Sequence, residues 1–233
     1  MRPEPPAQQP PAQPAAQPLE PRVVPDSDHS VPPPDRGPTV SRRPEPRSGA
    51  LERRADSAER LRRKGAVCGD IDIQGDVVGR VPSEVQGCGI KEAVRIRSVA
   101  GVTLSHTALL NCETAKALKT WVVKGVQPAF RGQGKVAQLQ VAASYSCRPR
   151  NNVRGAKLSE HGKGNAIDIS AFILSSGKEM SVLSSYARNN PLGASRRAAC
   201  GIFGTVLGPG SDRYHSNHFH LDVARHRGGP YCH

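Results

Sequence analysis

The sequence predicts an α+β domain with a small, mainly antiparallel sheet flanked by helices. Two observations indicate this fold class. Short segments between glycines alternate apolar and polar residues, which is typical of strands joined by turns. Segments with apolar residues at helical spacing lie between these strand-like segments, and this order favours helices packed on a largely antiparallel sheet.

Strands are predicted where apolar and polar residues alternate and turn residues flank the segment. In the first half of the domain these segments are residues 68–82 (CGDIDIQGDVVGRVP), 87–90 (GCGI) and 93–99 (AVRIRSV). In the second half they are residues 139–147 (LQVAASYSC), 166–174 (AIDISAFIL) and 218–223 (HFHLDV). The sequence contains no internal repeat.

A helix is predicted to follow Ser105, because apolar residues of HTALLNCETAKALKTWVVKGV recur at helical spacing. The residues of that face are Leu110, Thr114, Ala117, Leu118, Trp121 and Val122. Ser105 or Thr107 is expected to cap the start of the helix, and Gly125 its end. Two shorter helices are predicted at residues 180–189 and 194–203.

The composition divides the chain near residue 65. Fifteen of the 21 prolines precede residue 47, and the segment has little to bury, so we predict a disordered, polyproline-biased tether. Residues 49–64 could form a short charged helix, but we assign them to this linker, which then spans residues 1–64. Residues 65–233 are long enough to bury a core and are predicted to form the folded domain.

The net charge of +13 and the pI of about 10.0 favour a polyanionic partner such as nucleic acid, an anionic membrane or an acidic wall polymer. Nucleic-acid binding usually adds clustered cations and stacking aromatics. Aromatic residues make up only 4% of this chain and its cations are scattered, so no nucleic-acid partner is expected. No apolar run predicts a transmembrane segment, and we expect a monomer.

The six cysteines predict up to three disulfides. They are Cys68, Cys88, Cys112, Cys147, Cys200 and Cys232, and no two form a CxxC pair. Six cysteines allow 15 pairings, among which the sequence does not choose, and buried reduced thiols are the alternative. Disulfides indicate a periplasmic or other extracytoplasmic location. Residues 1–21 lack the apolar core of a signal peptide, so we expect the export signal upstream or removed, with a cytosolic location as the alternative.

The segment HFHLD predicts a cluster of polar side chains. On a strand, His218, His220 and Asp222 share one face, while the intervening apolar residues face the core. His215 lies three residues before His218, at the mouth of the strand. Converging histidines are typical of a metal site or an acid–base site, and a row of solvated surface histidines is the alternative.

A second cluster is predicted in SEHGKGNAIDIS. His161 precedes a turn in which Gly162 and Gly164 permit tight backbone geometry. Asp168 follows inside a predicted strand, and both side chains can reach one ion if the turn folds back. The alternative is a turn capped by Ser159 without a metal. Combined with a histidine of the other strand, the pair gives three N/O ligands, which is the pattern of a catalytic Zn²⁺ site with one position open for water.

Together the two segments read SxHxxGxAxDI and HxxHxHxD. This pattern resembles the lysostaphin/D-Ala-D-Ala peptidase/hedgehog group of zinc enzymes. The stretch from Cys68 to Cys232, including ACGIFGTVLGPGSDRYHSNHFHLD, resembles the bacterial extensin-like C-terminal domain family. The resemblance implies a zinc site on the sheet, with His161, Asp168 and His220 as its ligands.

One position departs from the pattern. Carboxypeptidase and dipeptidase members have a carboxylate base three residues before the last zinc histidine, where this chain has Asn217. The HxxHxH arrangement instead resembles penicillin-insensitive murein endopeptidases. That resemblance implies His215 and His218 as the acid–base pair.

Other polar residues are expected to support the site. Asp212 or Asp222 is predicted to orient the histidines, as carboxylates behind metal ligands often do. Arg148 follows a Tyr/Ser strand end, where related peptidases place an arginine that holds the substrate's carboxylate or carbonyl; a basic surface residue is the alternative.

These patterns predict a zinc metallopeptidase that hydrolyses amide bonds in peptidoglycan peptides. The alternative is a non-catalytic module that binds the cell wall and retains the fold, with Asn217 marking a lost base. A zinc nuclease is less favoured, because the chain has no recognisable nuclease motif.

Overall fold

The computed structural model describes residues 49–233. The predicted disorder of residues 1–48 lies outside the described part. Residues 49–64, which we assigned to the linker, form a helix within the same compact unit as the residues that follow.

Helices and strands alternate irregularly along the chain. The helices are α1 (Gly49–Lys64), α2 (Cys112–Trp121), α3 (Gln127–Ala129), α4 (Val182–Ser185) and α5 (Pro191–Ala199). The longer strands are β2 (Asp70–Val81), β3 (Ile90–Val99), β4 (Val102–Asn111), β5 (Val136–Ala143), β6 (Ala166–Leu174) and β9 (Phe219–Asp222). The shortest strands are β1 (Ala66–Val67), β7 (Glu179–Ser181), β8 (Thr205–Leu207) and β10 (Tyr231–Cys232).

All ten strands of the described part join one sheet, in the order β1-β2-β3-β4-β5-β6-β9-β8-β10, with β7 also paired to β6. The pairs β4–β5 and β8–β10 are parallel, and the others are antiparallel. The predicted α+β class and mainly antiparallel pairing are confirmed. The prediction of a small sheet is wrong, because the sheet has ten strands. Several of them have only two or three residues, too few to show the alternation from which strands are predicted.

The helix predicted from Ser105 is wrong in its first half. Residues 105–111 continue β4, in which Leu110 pairs with Val94 of the neighbouring strand. Leu110 is buried as a residue of β4. Its match to the helical spacing is therefore a coincidence. The helix begins only at Cys112, and its cap is Asn111, whose side chain accepts a hydrogen bond from the backbone N–H of Thr114.

The end of this helix also differs from the prediction. The chain passes Gly125 in a π-helical turn, Val122–Val126, and enters α3. A Cβ at Gly125 would lie 2.9 Å from the ring of Trp121, so this glycine allows close packing and does not end the helix.

The two shorter predicted helices are displaced. In residues 180–189, Met180 pairs with Phe172 as part of β7, and only a single helical turn follows. The helix predicted at residues 194–203 lies at 191–199, because Asn190 caps it and Pro191 occupies its first turn. The strand predicted at 166–174 has those bounds in the structure.

The core lies on the helical face of the sheet. Trp121 of α2 is fully buried, as predicted, and packs edge-on against Phe172 of β6 and against Phe203. Its indole N–H donates to the carbonyl of Ser195 in α5 at 2.7 Å. These contacts hold helices over one face of β6, so polar residues of β6 that point the other way face a cleft.

Three disulfides cross-link the domain, as the cysteine count predicts. They join Cys68 to Cys112, Cys88 to Cys147 and Cys200 to Cys232. In residues 49–233, every helix is too short or too polar to cross a bilayer.

Candidate metal centre

The first two candidate ligands come from one turn and the strand that follows it. His161 lies in a 3-10 turn, Glu160–Lys163, whose cap is Ser159. Gly164 ends the turn in a left-handed conformation, with φ of 68°. A Cβ at Gly164 would lie 2.4 Å from the side chain of Ile90 and 3.1 Å from the backbone nitrogen of Asn111, so any side chain there would strain the turn. The turn thus brings His161 back over the start of β6.

The third candidate ligand lies opposite Asp168 on the neighbouring strand. β6 and β9 are antiparallel, and their register pairs Asp168 with His220. Directly opposed side chains on one face have their Cβ atoms about 5 Å apart. The alternation predicted for β9 places Phe219 and Leu221 in the core, both fully buried. The imidazole of His220 therefore meets the carboxylate of Asp168 on the cleft face.

Three donor atoms converge here. His161 Nε2 lies 3.1 Å from an oxygen of Asp168 and 3.2 Å from His220 Nδ1. His220 Nδ1 lies 2.9 Å from the other oxygen of Asp168. Zinc–ligand bonds of about 2.0–2.1 Å in a tetrahedron separate the ligand atoms by about 3.3 Å. The N₂O donor set and its spacing therefore fit a Zn²⁺ ion with little rearrangement.

The outer nitrogens of both histidines are held by acceptors. His161 Nδ1 donates to the carbonyl of Ser144 at 2.6 Å, and His220 Nε2 contacts the carboxylate of Asp222 at 3.0 Å. Because these groups occupy the outer nitrogens, the inner nitrogens are the ones that can coordinate a metal. Such carbonyl and carboxylate partners are typical of metal-bound histidines.

His215 and His218 lie beside the three donors. Their rings are 5.2 Å apart, and the ring of His215 is 5.6 Å from that of His220. Asp212 holds Nδ1 of His215 at 2.7 Å, and Asn217 holds Nδ1 of His218 at 2.8 Å. His218 Nε2 lies 3.6 Å from the carboxylate of the central aspartate. Both predicted acid–base residues thus lie within reach of a group bound at the centre.

The pKa values follow from these contacts. Burial raises the pKa of Asp168, but hydrogen bonds with His161 and His220 outweigh it and hold the pKa far below its usual value. Burial lowers the pKa of His220, but hydrogen bonds with Asp168 and Asp222 raise it to about 9. Burial also lowers the pKa of His218, and the attraction of Asp168 only partly opposes this effect. The imidazolium of His218 is therefore more easily deprotonated than that of His220.

The carboxylates behind the histidines remain charged. Burial raises the pKa of Asp222, but the hydrogen bond with His220 holds it below its usual value. Burial likewise raises the pKa of Asp212, and the hydrogen bond with His215 outweighs that effect. Both groups can accept hydrogen bonds from imidazole near neutral pH.

The cluster lies in a cleft of about 390 Å³. The structure brings all of the predicted site residues to this cleft: Arg148, Ser159, His161, Asp168, Asp212, His215, His218, His220 and Asp222. Arg148 lies on the wall, half-buried, and its backbone carbonyl accepts a hydrogen bond from Ser159 N–H at 3.0 Å. In the described residues this His/Asp cluster is the one group that meets the geometry of a metal site.

Sequence reasoning missed several residues around the cleft. The contact of Ser144 is made by a backbone carbonyl, for which no side-chain pattern exists. Arg150, His226 and Tyr231 line the cleft although they lie outside both motifs. The four cations in RPRNNVRGAK were a signal that sequence reasoning could have used for Arg150. His226 contacts Thr205 of β8 at 2.9 Å, and the sequence did not indicate that three-residue strand.

These features define a disulfide-linked α+β domain whose sheet carries a histidine–aspartate cluster in a cleft. The family described as extensin-like protein C-terminus matches residues 73–233. The chain therefore belongs to the extensin-like C-terminal family. Neither a search of curated proteins nor one of solved structures found a match to this chain.

Proposed function

We propose that this protein is a zinc metallopeptidase that hydrolyses amide bonds in peptidoglycan peptides. One observation carries the proposal: His161, Asp168 and His220 each offer a donor atom, and these atoms lie within 4.8 Å of one another in a cleft. Three N/O ligands with a neighbouring cleft are typical of catalytic zinc and not of closed structural sites.

Each residue of the centre has a separate role in the proposed reaction. Zinc held by the three ligands would supply Lewis-acid activation of water and of a carbonyl group. Asp222 fixes the ring of the ligand His220. His218 is suited to accept a proton because burial lowers its pKa and so keeps the ring unprotonated near neutral pH. His215, oriented by Asp212, is suited to return a proton to the leaving amine.

Three features support peptidoglycan as the substrate. The motifs resemble those of murein peptidases. The disulfides favour an extracytoplasmic location, where the wall lies. The net charge of +13 favours association with an acidic polymer.

A second candidate function is a non-catalytic module that binds the cell wall. Asn217 favours it, because an amide stands where carboxypeptidase members have a carboxylate base. In the structure Asn217 Oδ1 accepts a hydrogen bond from His218 Nδ1 and so orients that ring. This contact gives Asn217 a role in an active enzyme, which is why we favour the peptidase.

The test is to incubate the purified protein with muropeptide monomers and dimers, with added zinc or with a chelator. We expect cleavage with zinc and none with chelator. His218→Ala should abolish turnover while retaining zinc, since His218 is not among the three ligands. His106→Ala, at an exposed histidine of β4, is the matched control and should behave as wild type.

Intact muropeptides after incubation with the zinc-loaded protein would contradict the peptidase. Unchanged wall binding by His218→Ala would then support the binding module.

A further inference from the structure

A positively charged loop lies beside the candidate metal centre and lines part of the same cleft. We define the basic loop as residues 150–157, RNNVRGAK. Its base is closed by a hydrogen bond from Arg150 N–H to the carbonyl of Lys157 at 2.9 Å and by a bridge between Pro149 and Leu158. Only three residues separate the loop from His161, so its position is coupled to the ligand-bearing turn.

The loop presents cations to solvent and to the cleft. Arg150, Arg154 and Lys157 are exposed, and no acidic residue lies between positions 148 and 159. Arg150 also lines the cleft. Among residues 49–233, none of the three cations forms an ion pair, whereas Lys163 pairs with a carboxylate nearby. Within the described part of the chain, no carboxylate neutralises these three charges.

The backbone of the loop is held in an uncommon conformation. Asn151 and Asn152 are consecutive and have φ values of 55° and 56°. Left-handed backbone costs a non-glycine residue about 1–2 kcal/mol, least for Asn and Asp. Hydrogen bonds from Asn152 N–H to Pro149 and from Val153 N–H to Arg150 maintain it. Both asparagines line the cleft, and strain of this kind is concentrated at ligand-binding sites.

We propose that the basic loop binds free carboxylates of the substrate, so the preferred substrate is an acidic peptide. The inference rests on the proposed function and names the substrate class of the same cleft. The guanidinium of Arg150 is suited to a carboxylate because it can donate two parallel hydrogen bonds. The amides of Asn151 and Asn152 can hydrogen-bond to the peptide backbone. Arg154 and Lys157, farther out, attract the same charge at longer range.

The test compares two muropeptides that differ only in charge, one with free side-chain carboxylates and one with those groups amidated. We expect wild type to cleave the acidic form with a kcat/KM about ten-fold higher or more, as charge-assisted hydrogen bonds imply. The triple variant Arg150→Gln, Arg154→Gln, Lys157→Gln should lose this preference mainly through KM. Its zinc affinity should equal that of wild type.

The matched control removes the same charge elsewhere. Arg95→Gln, Arg131→Gln, Lys135→Gln changes two arginines and one lysine that are exposed and lie outside the cleft lining. This variant should keep the preference for the acidic peptide. If both triple variants lose it equally, the effect is one of net charge, and the loop has no specific role.

A binding measurement separates this inference from the proposed function. Calorimetry with zinc-loaded His218→Ala and the two peptides needs no turnover. Tighter binding of the acidic peptide, lost in the loop variant, supports the inference even if wild type cleaves neither peptide. Equal binding of both peptides, or a preference for a single-stranded oligonucleotide over both, overturns it even if wild type is an active peptidase.

Discussion

The side chain of Asp222 lies behind His220, one of the three candidate ligands of the proposed metal centre. Its carboxylate contacts Nε2 of His220 and so leaves Nδ1 to face Asp168. An amide at this position could present its NH₂ group to the ring and favour the wrong tautomer. We therefore expect residue 222 to affect zinc binding through the orientation of one imidazole.

We predict that Asp222→Asn lowers zinc affinity by about 10- to 100-fold, the usual effect of losing a partner of a metal-bound histidine. Competition with a chromophoric chelator measures the affinity. Asp76→Asn changes an exposed aspartate in the middle of β2, four strands away from β6 and outside the cleft lining, and this variant should bind zinc as wild type does. Equal affinities for both variants would contradict the positioning role.

The metal-free protein should lose stability at alkaline pH. The pKa of His220 is raised to about 9, so its contribution is fully present below about 6.5 and is lost as the pH rises through 9. The pKa of Asp168 is lowered, so its contribution is present above about 4 and is lost on acidification.

We therefore expect the free energy of unfolding of chelator-treated protein to fall by at most about 3 kcal/mol between pH 6.5 and 9. Urea denaturation at several pH values measures it. His220→Gln should show a smaller slope over this range. A slope equal to that of wild type would indicate that other groups cause the pH dependence.

At the scale of residues, the side chains that form the candidate site could be predicted, because their chemistry and their alternation along a strand are local properties of the sequence. The face shared by His218, His220 and Asp222 follows from the strand period of two. The carbonyl partner of His161 comes from Ser144, and a carbonyl has no signature in the sequence. Asn217 contacts its own neighbour, His218, and the residue type alone does not distinguish this contact from the loss of a carboxylate base.

At the scale of elements, the turn that carries the candidate ligand His161 packs against the disulfide Cys88–Cys147. The residue after Cys88 donates its N–H to the carbonyl of Gly162 at 2.8 Å. The residue before Cys147 donates to the carbonyl of His161 at 3.3 Å. A Cβ at Gly162 would lie 2.9 Å from the sulfur of Cys88. The turn therefore has no room to shift toward the disulfide.

We predict that Gly162→Ala displaces the turn and lowers zinc affinity by about 10-fold, within the usual cost of overpacking. Gly132→Ala is the matched control, because a Cβ there would contact nothing within 4 Å. Zinc titration and thermal unfolding should be measured on both variants. If Gly162→Ala lost stability but kept its zinc affinity, the packing of the turn would not determine the position of the candidate ligand His161.

Strands and helices that are marked in the sequence by regular alternation and flanking turn residues could be predicted. Those that form only because a neighbouring strand pairs with them could not. The strand at 166–174 is bounded by turn residues on both sides and alternates for much of its length. Residues 105–111 fit both a strand and a helix, and pairing with β3 decides in favour of the strand. Strands of two residues exist only because a neighbour pairs with them, so no periodicity reveals them.

For the whole molecule, the centre depends on contacts between distant parts of the chain. Asp168 and His220 are 52 residues apart and meet through the register of β6 and β9. The three disulfides close loops of 32 to 59 residues, and each is worth about 4 kcal/mol by loop entropy. The cysteine pairing follows from the completed fold, which is why the sequence left 15 alternatives.

The limit of the folded domain can be tested at α1. In its described part the side chains are mostly exposed, and Arg62 links it to the sheet through an ion pair with Asp72 and a hydrogen bond from Gln74. Exposed ion pairs contribute at most about 1 kcal/mol. A protein that begins at Gly65 should therefore unfold within about 2 kcal/mol of the full chain and bind zinc equally well, as urea denaturation and zinc titration can measure. A larger loss of stability, or weaker zinc binding, would place α1 inside the domain and move the predicted boundary at residue 65 to the start of the helix.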